Sequence, residues 1–257
     1  MEIALTQNLF MVSNTTIDGR DAYVTITGWT LVVEGVKNVI LHNFAVANVP
    51  ESDTVHILSG SSLIWVDHIS SWNSELGLVS VVQGSTDVTI SNCHLSNHNF
   101  NMLLGASDGD KIDENMRVTV YRNFFDYSNQ RMPHCRWGYC HVLNNYYKNW
   151  GFYTVGGRVY AKLYTEMNVF QPGKVLEVTP YFRGFNDDAT ATIESHNNLF
   201  LNGATFTWFN HTPLAPPPYV KATDYPPLVP TSVLPTLVQN CAGTLFWPQL
   251  GICLNTN

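Results

Sequence analysis

The sequence is short of charge, and above all of positive charge. Charged residues make up 13% of its 257 positions, with 13 Lys and Arg against 20 Asp and Glu, so the net charge is -7 at pH 7. A general nucleic-acid-binding protein needs a basic face, and no run of Lys and Arg supplies one. The 45% of hydrophobic residues is typical of a folded chain rather than a disordered one.

Long hydrophobic runs are also missing. No stretch reaches the roughly 18 apolar residues of a membrane span, so we expect no membrane-spanning segment. The opening, MEIALTQNLFMVSN, alternates as a strand does and lacks the charged head, apolar centre and cleavage site of a signal peptide. We therefore expect a mature fragment or a chain truncated at its N-terminus.

Cysteines are few, and none has the CxxC spacing of a metal site. The five are Cys93, Cys135, Cys140, Cys241 and Cys253. Cys241 and Cys253 bracket a short C-terminal segment, for which we predict a disulfide in an oxidising compartment, with two free thiols as the alternative. Closing such a loop stabilises a fold by roughly 3 kcal/mol.

A loose repeat of short segments runs through the middle of the sequence. Each segment has two or three alternating β-branched or aromatic residues, then a polar residue and an apolar one. The polar residues are Asn43, Asp67, Asn92, Asn123, Asn145, Asn168 and Asn198. Short strands at a period of twenty-odd residues indicate a solenoid, in which stacked Asn side chains bond along the axis. A β-sandwich is the alternative, but its turns need not resemble one another.

The composition changes after about residue 211. Residues 212–257 are rich in Pro and carry few strand signals. We predict two parts, a solenoid over 1–211 and an extended Pro-rich C-terminal segment over 212–257. That segment is expected to lie over the solenoid or to trail from it, with disorder as the alternative.

Several ordered motifs within residues 1–205 resemble the plant-type pectate lyases. They are TIDGR (16–20), IWVDH (64–68), GSTDVTISNCHLSNHN (84–99), MLLGASD (102–108), QRMPHCRWGYCHVLNNYY (130–147) and VGG (155–157). The resemblance implies an all-β fold, a right-handed parallel β-helix, in agreement with the repeat. Members of this family normally have a longer N-terminal region, so N-terminal coils are expected to be missing here.

The resemblance also implies a reaction, the β-elimination of α-1,4-linked polygalacturonate in pectin. In QRMPHCR, Arg131 falls on the family's catalytic arginine, the proposed base for the C5 proton. Arg136 falls on a second arginine that binds a substrate carboxylate, a task that suits a guanidinium fork. The competing interpretation is an arginine pair that satisfies carbonyls or Asp residues at coil ends.

A calcium ion neutralises the uronate carboxylate in this family, and the ligand pattern is incomplete here. Glu51 and Asp53 stand at the first two ligand positions, two residues apart, as on one face of a strand, with a solvated turn before a strand as the alternative. Leu76 and Ser80 stand at the other two, and neither is a carboxylate. Phe100 replaces a cleft lysine of many active members. The resemblance thus implies Ca2+ at a degraded site, where substrate carboxylates would complete the shell.

Asp67 and His68 could form a metal or acid–base pair, but the resemblance assigns this stretch to the coil framework, and we interpret Asp67 as a hydrogen-bond anchor. Three functions remain open: a pectate lyase, a calcium-independent relative of the pectin lyases acting on methyl-esterified substrate, and a non-catalytic pectin-binding protein. The resemblance further implies a secreted, cell-wall location. We expect a monomer that binds pectin polysaccharide and no nucleic acid.

Overall fold

A computed structural model shows a parallel β-helix, which confirms the predicted solenoid. The structure describes residues 1–181, 190–208, 212–221, 225–246, 249 and 253. Its strands form three parallel sheets that run the length of the molecule. Each of the first seven coils contributes one strand to each sheet, as expected when similar chain segments stack.

The strands are numbered in chain order. The nine-stranded sheet holds β1 (Glu2–Ala4), β4 (Thr25–Thr27), β7 (Ala45–Val49), β10 (Ser70–Ser74), β13 (His94–Ser96), β16 (Phe124–Asp126), β19 (Tyr146–Lys148), β22 (Val169–Gln171) and β24 (Leu199–Phe200). The seven-stranded sheet holds β2 (Leu9–Phe10), β5 (Leu31–Glu34), β8 (Val55–Leu58), β11 (Gly77–Val81), β14 (Phe100–Leu104), β17 (His134–Arg136) and β20 (Gly156–Arg158). The eight-stranded sheet holds β3 (Thr15–Asp18), β6 (Lys37–His42), β9 (Ser62–Asp67), β12 (Thr86–Ser91), β15 (Arg117–Tyr121), β18 (Tyr139–Leu143), β21 (Lys162–Glu166) and β23 (Thr192–His196). A short 3-10 helix covers Lys111–Asn115, and the helix α1 covers Leu234–Cys241.

The core follows from the alternation within each strand. In β8 and β11, Val55 pairs with Val79 and Ile57 with Val81, and all four side chains are fully buried. Like residues therefore stack on like residues from coil to coil. Each buried aliphatic side chain contributes about 1.5–3 kcal/mol, so the interior ladder fixes the register of the outward-facing residues as well.

An amide ladder closes the turn between the eight-stranded and nine-stranded sheets. Its members are Asn123, Asn145, Asn168 and Asn198. The Oδ1 atoms of the last three accept from the backbone N–H of the member one coil earlier, and that of Asn123 accepts from the backbone N–H of Cys93. The other turn residues of the sequence repeat lie outside it: Asn43 and Asn92 occupy a preceding left-handed position, and Asp67 ends β9. The sequence repeat therefore identified the turns. In the first three turns, however, the polar residue that it marked lies one or two positions before the position that the ladder asparagines occupy.

The described part of the C-terminal segment packs along the solenoid. Val229 and Asn144 exchange two hydrogen bonds, as do Leu245 and Asn43. A disulfide joins Cys241 to Cys253 as predicted, and a second joins Cys135 to Cys140. In the described residues, no helix has the length and hydropathy that crossing a membrane demands.

Candidate functional site

The predicted site residues lie in strands of the seven-stranded sheet or in the segments just before them. Arg131 lies just before β17 and Arg136 at its end, while Ser80 lies in β11. Glu51 and Asp53 lie in the turn before β8 rather than on a strand. The strand alternation that was expected to align their carboxylates therefore does not apply: Glu51 is exposed and Asp53 is buried.

Arg131 presents a guanidinium without a counter-ion. Its backbone is left-handed, with φ of 63°, and its side chain is partly buried. The guanidinium carbon lies 4.1 Å from the ring centroid of Phe100. Among the described residues no carboxylate pairs with it, and no side-chain hydrogen bond is made. A free cation in an acidic protein is suited to an anionic ligand.

Arg136 is paired within the protein itself. Its Nε donates to Asp108 Oδ1 over 2.8 Å, and its Nη1 donates to the Gly105 carbonyl over 3.0 Å. Arg158, the last residue of β20, donates to Asp108 Oδ2 over 2.7 Å. Hydrogen bonds from Arg158, and then from Arg136, hold the pKa of Asp108 below its usual value despite some burial. Asp108 is thus an ionised carboxylate held between two guanidinium groups.

Close to the expected calcium position, Asp53 belongs to a hydrogen-bonded cluster with Ser80 and His56. Asp53 Oδ2 lies 2.6 Å from Ser80 Oγ and 2.7 Å from His56 Nδ1, and Ser80 Oγ lies 2.9 Å from the same imidazole nitrogen. The other oxygen, Oδ1, faces Gly77, where an added Cβ would lie 2.7 Å from it. Both oxygens of the carboxylate are therefore turned toward the protein.

These residues fit a resident calcium ion poorly. Calcium takes six to eight oxygen ligands, whereas Asp53 is engaged by Ser80 and His56, and Leu76 offers an exposed hydrocarbon side chain. In the described part of the chain, only one group of three or more His, Cys, Asp or Glu side chains is close enough to share an ion. It consists of His42, Asp67 and His68 and lies on another sheet. Glu51 and Asp53 remain predicted calcium ligands, and neither Leu76 nor Ser80 adds a third protein carboxylate.

Sequence reasoning missed three contributors to this site. Asp108 meets Arg136 and Arg158 across successive coils, and its separations of 28 and 50 residues from them give no local signal. His56 follows Asp53 by three residues, a spacing with no meaning until the chain is seen to turn there. The register of the coils, in which Arg136 pairs with Arg158, could have identified the second arginine.

Comparisons with known proteins agree with the fold and the motifs. A pectate lyase family model matches residues 3–220. A probable pectate lyase, P59 of Solanum lycopersicum, is 38% identical over 232 residues, which are 80% of this chain and 52% of that protein. The chain thus spans about half the length of that curated relative.

Solved structures share the fold of this chain. The crystal structure of Jun a 1, the major allergen from cedar pollen, superposes with a TM-score of 0.85 at 28% identity, covering 95% of this chain and 78% of that one. A pectate lyase from Bacillus sp. N165 in complex with trigalacturonate superposes with a TM-score of 0.73 at 20% identity over 90% of this chain and 76% of the other, a likeness of fold. The chain belongs to the pectate lyase family.

Proposed function

We propose that this protein cleaves polygalacturonate by β-elimination, with Arg131 as the base. The observation that carries the proposal is the unpaired guanidinium of Arg131 beside β17, in the stretch that matches the family's catalytic arginine. A cell-wall location outside the cell is part of the proposal. The Cys241–Cys253 disulfide supports it, because such bonds persist in oxidising compartments.

The reaction removes the C5 proton, which is acidified by the neighbouring carboxylate. Arg131 accepts that proton, the C–H electrons form the C4–C5 double bond, and the glycosidic oxygen leaves C4 with its bonding electrons. The base must be transiently neutral, which is demanding because a guanidinium group holds its proton very tightly. Arg136 holds a uronate carboxylate, and it must exchange Asp108 for that carboxylate.

Calcium, implied by the family, would supply charge neutralisation at the uronate carboxylate. Glu51 and Asp53 would hold it only together with substrate carboxylates, because neither Leu76 nor Ser80 contributes a carboxylate. We expect the free protein to bind calcium at most weakly.

The direct test is the appearance of unsaturated product from polygalacturonate, followed by ultraviolet absorbance. Arg131→Ala should abolish it. The matched control is Arg117→Ala, since Arg117 is an exposed arginine paired with Asp87, and its loss should leave the rate unchanged. An unchanged rate in Arg131→Ala would remove Arg131 from the mechanism.

A second function is supported by the apolar side chains at the site. Phe100 and Leu76 stand where the family has a cation and a carboxylate, and Leu76 is 52% exposed. A neutral methyl ester needs neither a metal nor a lysine. Turnover that rises with esterification and ignores chelator would establish this calcium-independent enzyme, and the opposite trends would exclude it. Binding of oligogalacturonate without product would instead identify a non-catalytic pectin-binding protein.

A further inference from the structure

A second cluster of reactive side chains lies on the eight-stranded sheet, apart from the arginine site. His42 ends β6 and Asp67 ends β9, and the two are register partners across these parallel strands. His68 follows Asp67 with a left-handed backbone, φ 51°. The Nδ1 atoms of His42 and His68 lie 2.9 and 2.6 Å from the same oxygen, Asp67 Oδ2.

The three ligand atoms lie within 4.8 Å of one another. The site is accessible, because the side chains of His42 and His68 are 18% and 11% exposed, while that of Asp67 is 3% exposed. Two imidazoles and one carboxylate, with room for water, form the ligand set of open zinc sites. Imidazole nitrogen favours zinc, copper, iron and nickel over calcium and magnesium.

A supporting shell fixes the carboxylate. Asp67 Oδ1 accepts from Ser91 Oγ over 2.6 Å and from Asn92 Nδ2 over 2.9 Å. These contacts confirm Asp67 as a hydrogen-bond anchor of the coils. They also hold Oδ2 toward the two imidazoles, and hydrogen bonds of this kind orient ligating carboxylates in metal sites.

A groove of about 440 Å³ borders the cluster. Its lining includes Ser91 and Asn92, which contact Asp67, together with Trp65, Tyr121 and Pro227. Trp65 is 43% exposed, and its Nε1 donates to Ser91 Oγ over 2.8 Å. The hydrogen-bond partners of Asp67 therefore line a surface open to solvent.

We propose that His42, Asp67 and His68 bind a divalent transition-metal ion of the zinc class, with water at the remaining position. The ion would replace the two imidazole-to-carboxylate hydrogen bonds. Zinc bonds of about 2.0–2.1 Å put tetrahedral ligand atoms about 3.3 Å apart. The Nδ1 atoms of His42 and His68 now lie 2.9 and 2.6 Å from Asp67 Oδ2, so each distance would lengthen by less than ~1 Å. This site is independent of the proposed lyase activity.

The test is zinc titration of the chelator-treated full chain by calorimetry, with calcium as the comparison ion. We expect one equivalent of Zn2+ to bind, and Ca2+ not to compete. His42→Ala and His68→Ala should weaken binding by at least the ~10–100-fold that follows loss of a supporting partner in metal sites. The control is His196→Ala, because His196 is an exposed histidine on the same sheet. Zinc binding that is absent, or that survives in both variants, overturns the proposal.

Cobalt absorption gives a second readout on the unmodified chain, which keeps the test decisive where a variant fails to fold. Co2+ bound by two imidazoles and a carboxylate with one water should show the intense visible bands of a tetrahedral ion. A spectrum that matches aqueous Co2+ would contradict the proposed site.

Discussion

The guanidinium of Arg131 lies over the ring of Phe100, with 4.1 Å between the guanidinium carbon and the ring centroid. A cation–π contact of this kind stabilises the charged guanidinium by about 0.5–2 kcal/mol. It therefore opposes the proton loss that a base needs. A lysine at position 100 would act in the opposite sense, because a neighbouring like charge disfavours the charged form.

Phe100→Lys should consequently raise kcat on polygalacturonate. Loss of the cation–π contact alone corresponds to about a 2- to 30-fold gain. Phe100→Leu, which removes the ring without adding charge, is the control and should give the smaller gain. Initial rates at saturating substrate measure both. A lower kcat in Phe100→Lys would show that the ring assists Arg131.

Asp108→Asn should tighten substrate binding. Asp108 holds Arg136 and Arg158, and its lowered pKa keeps it ionised, as a competitor of the uronate carboxylate, at all pH values near neutrality. We expect KM to fall by up to about fivefold, in line with the ~0.2–1 kcal/mol of an exposed ion pair. The control is Asp87→Asn, which releases Arg117 on another sheet. A raised KM would instead make Asp108 a residue that positions the arginines.

Asn145→Ala should destabilise the solenoid without touching the site. Asn145 Oδ1 accepts from the backbone N–H and the Nδ2 of Asn123, and its Nδ2 donates to the Val120 carbonyl. Each buried group left unpaired costs about 1–3 kcal/mol. Urea unfolding should report a loss of roughly 3 kcal/mol or more, against less than ~0.5 kcal/mol for the exposed Asn240→Ala. Equal losses in the two variants would refute the role of the ladder.

The Glu166 cluster should make stability depend on acid pH. Burial raises the pKa of Glu166, but hydrogen bonds from His141 and Tyr225 outweigh it and hold that pKa below its usual value. The resulting stabilisation is present above the unfolded-state pKa of about 4.3 and is lost as pH falls through the folded-state pKa. Melting temperatures of wild type and Glu166→Gln should therefore differ at pH 7 and converge as the pH falls through the lowered folded-state pKa of Glu166. A constant difference would exclude the linkage. The control variant is Glu75→Gln, because Glu75 is exposed.

The sequence predicted the solenoid because its inward-facing residues repeat with each coil. It also predicted that Arg131 and Arg136 lie close together, because residues five positions apart in the sequence stay close in any fold. Contacts between coils could not be predicted from the sequence. Asp108 meets Arg136 and Arg158 only because of the register in which the coils stack, and Asp53 meets Ser80, which is 27 residues away. Glu51 and Asp53 lie in the turn that was the alternative to a strand, so their carboxylates are not aligned as strand residues two apart would be.

Ultraviolet detection of unsaturated product from polygalacturonate, with calcium and with chelator, tests the role of Arg131 when wild type is compared with Arg131→Ala. We predict product from the wild type that persists in chelator, and none from Arg131→Ala. Equal product from both proteins would contradict the role of Arg131. Product that vanishes with chelator would contradict the predicted persistence and show that Glu51 and Asp53 recruit calcium together with substrate carboxylates.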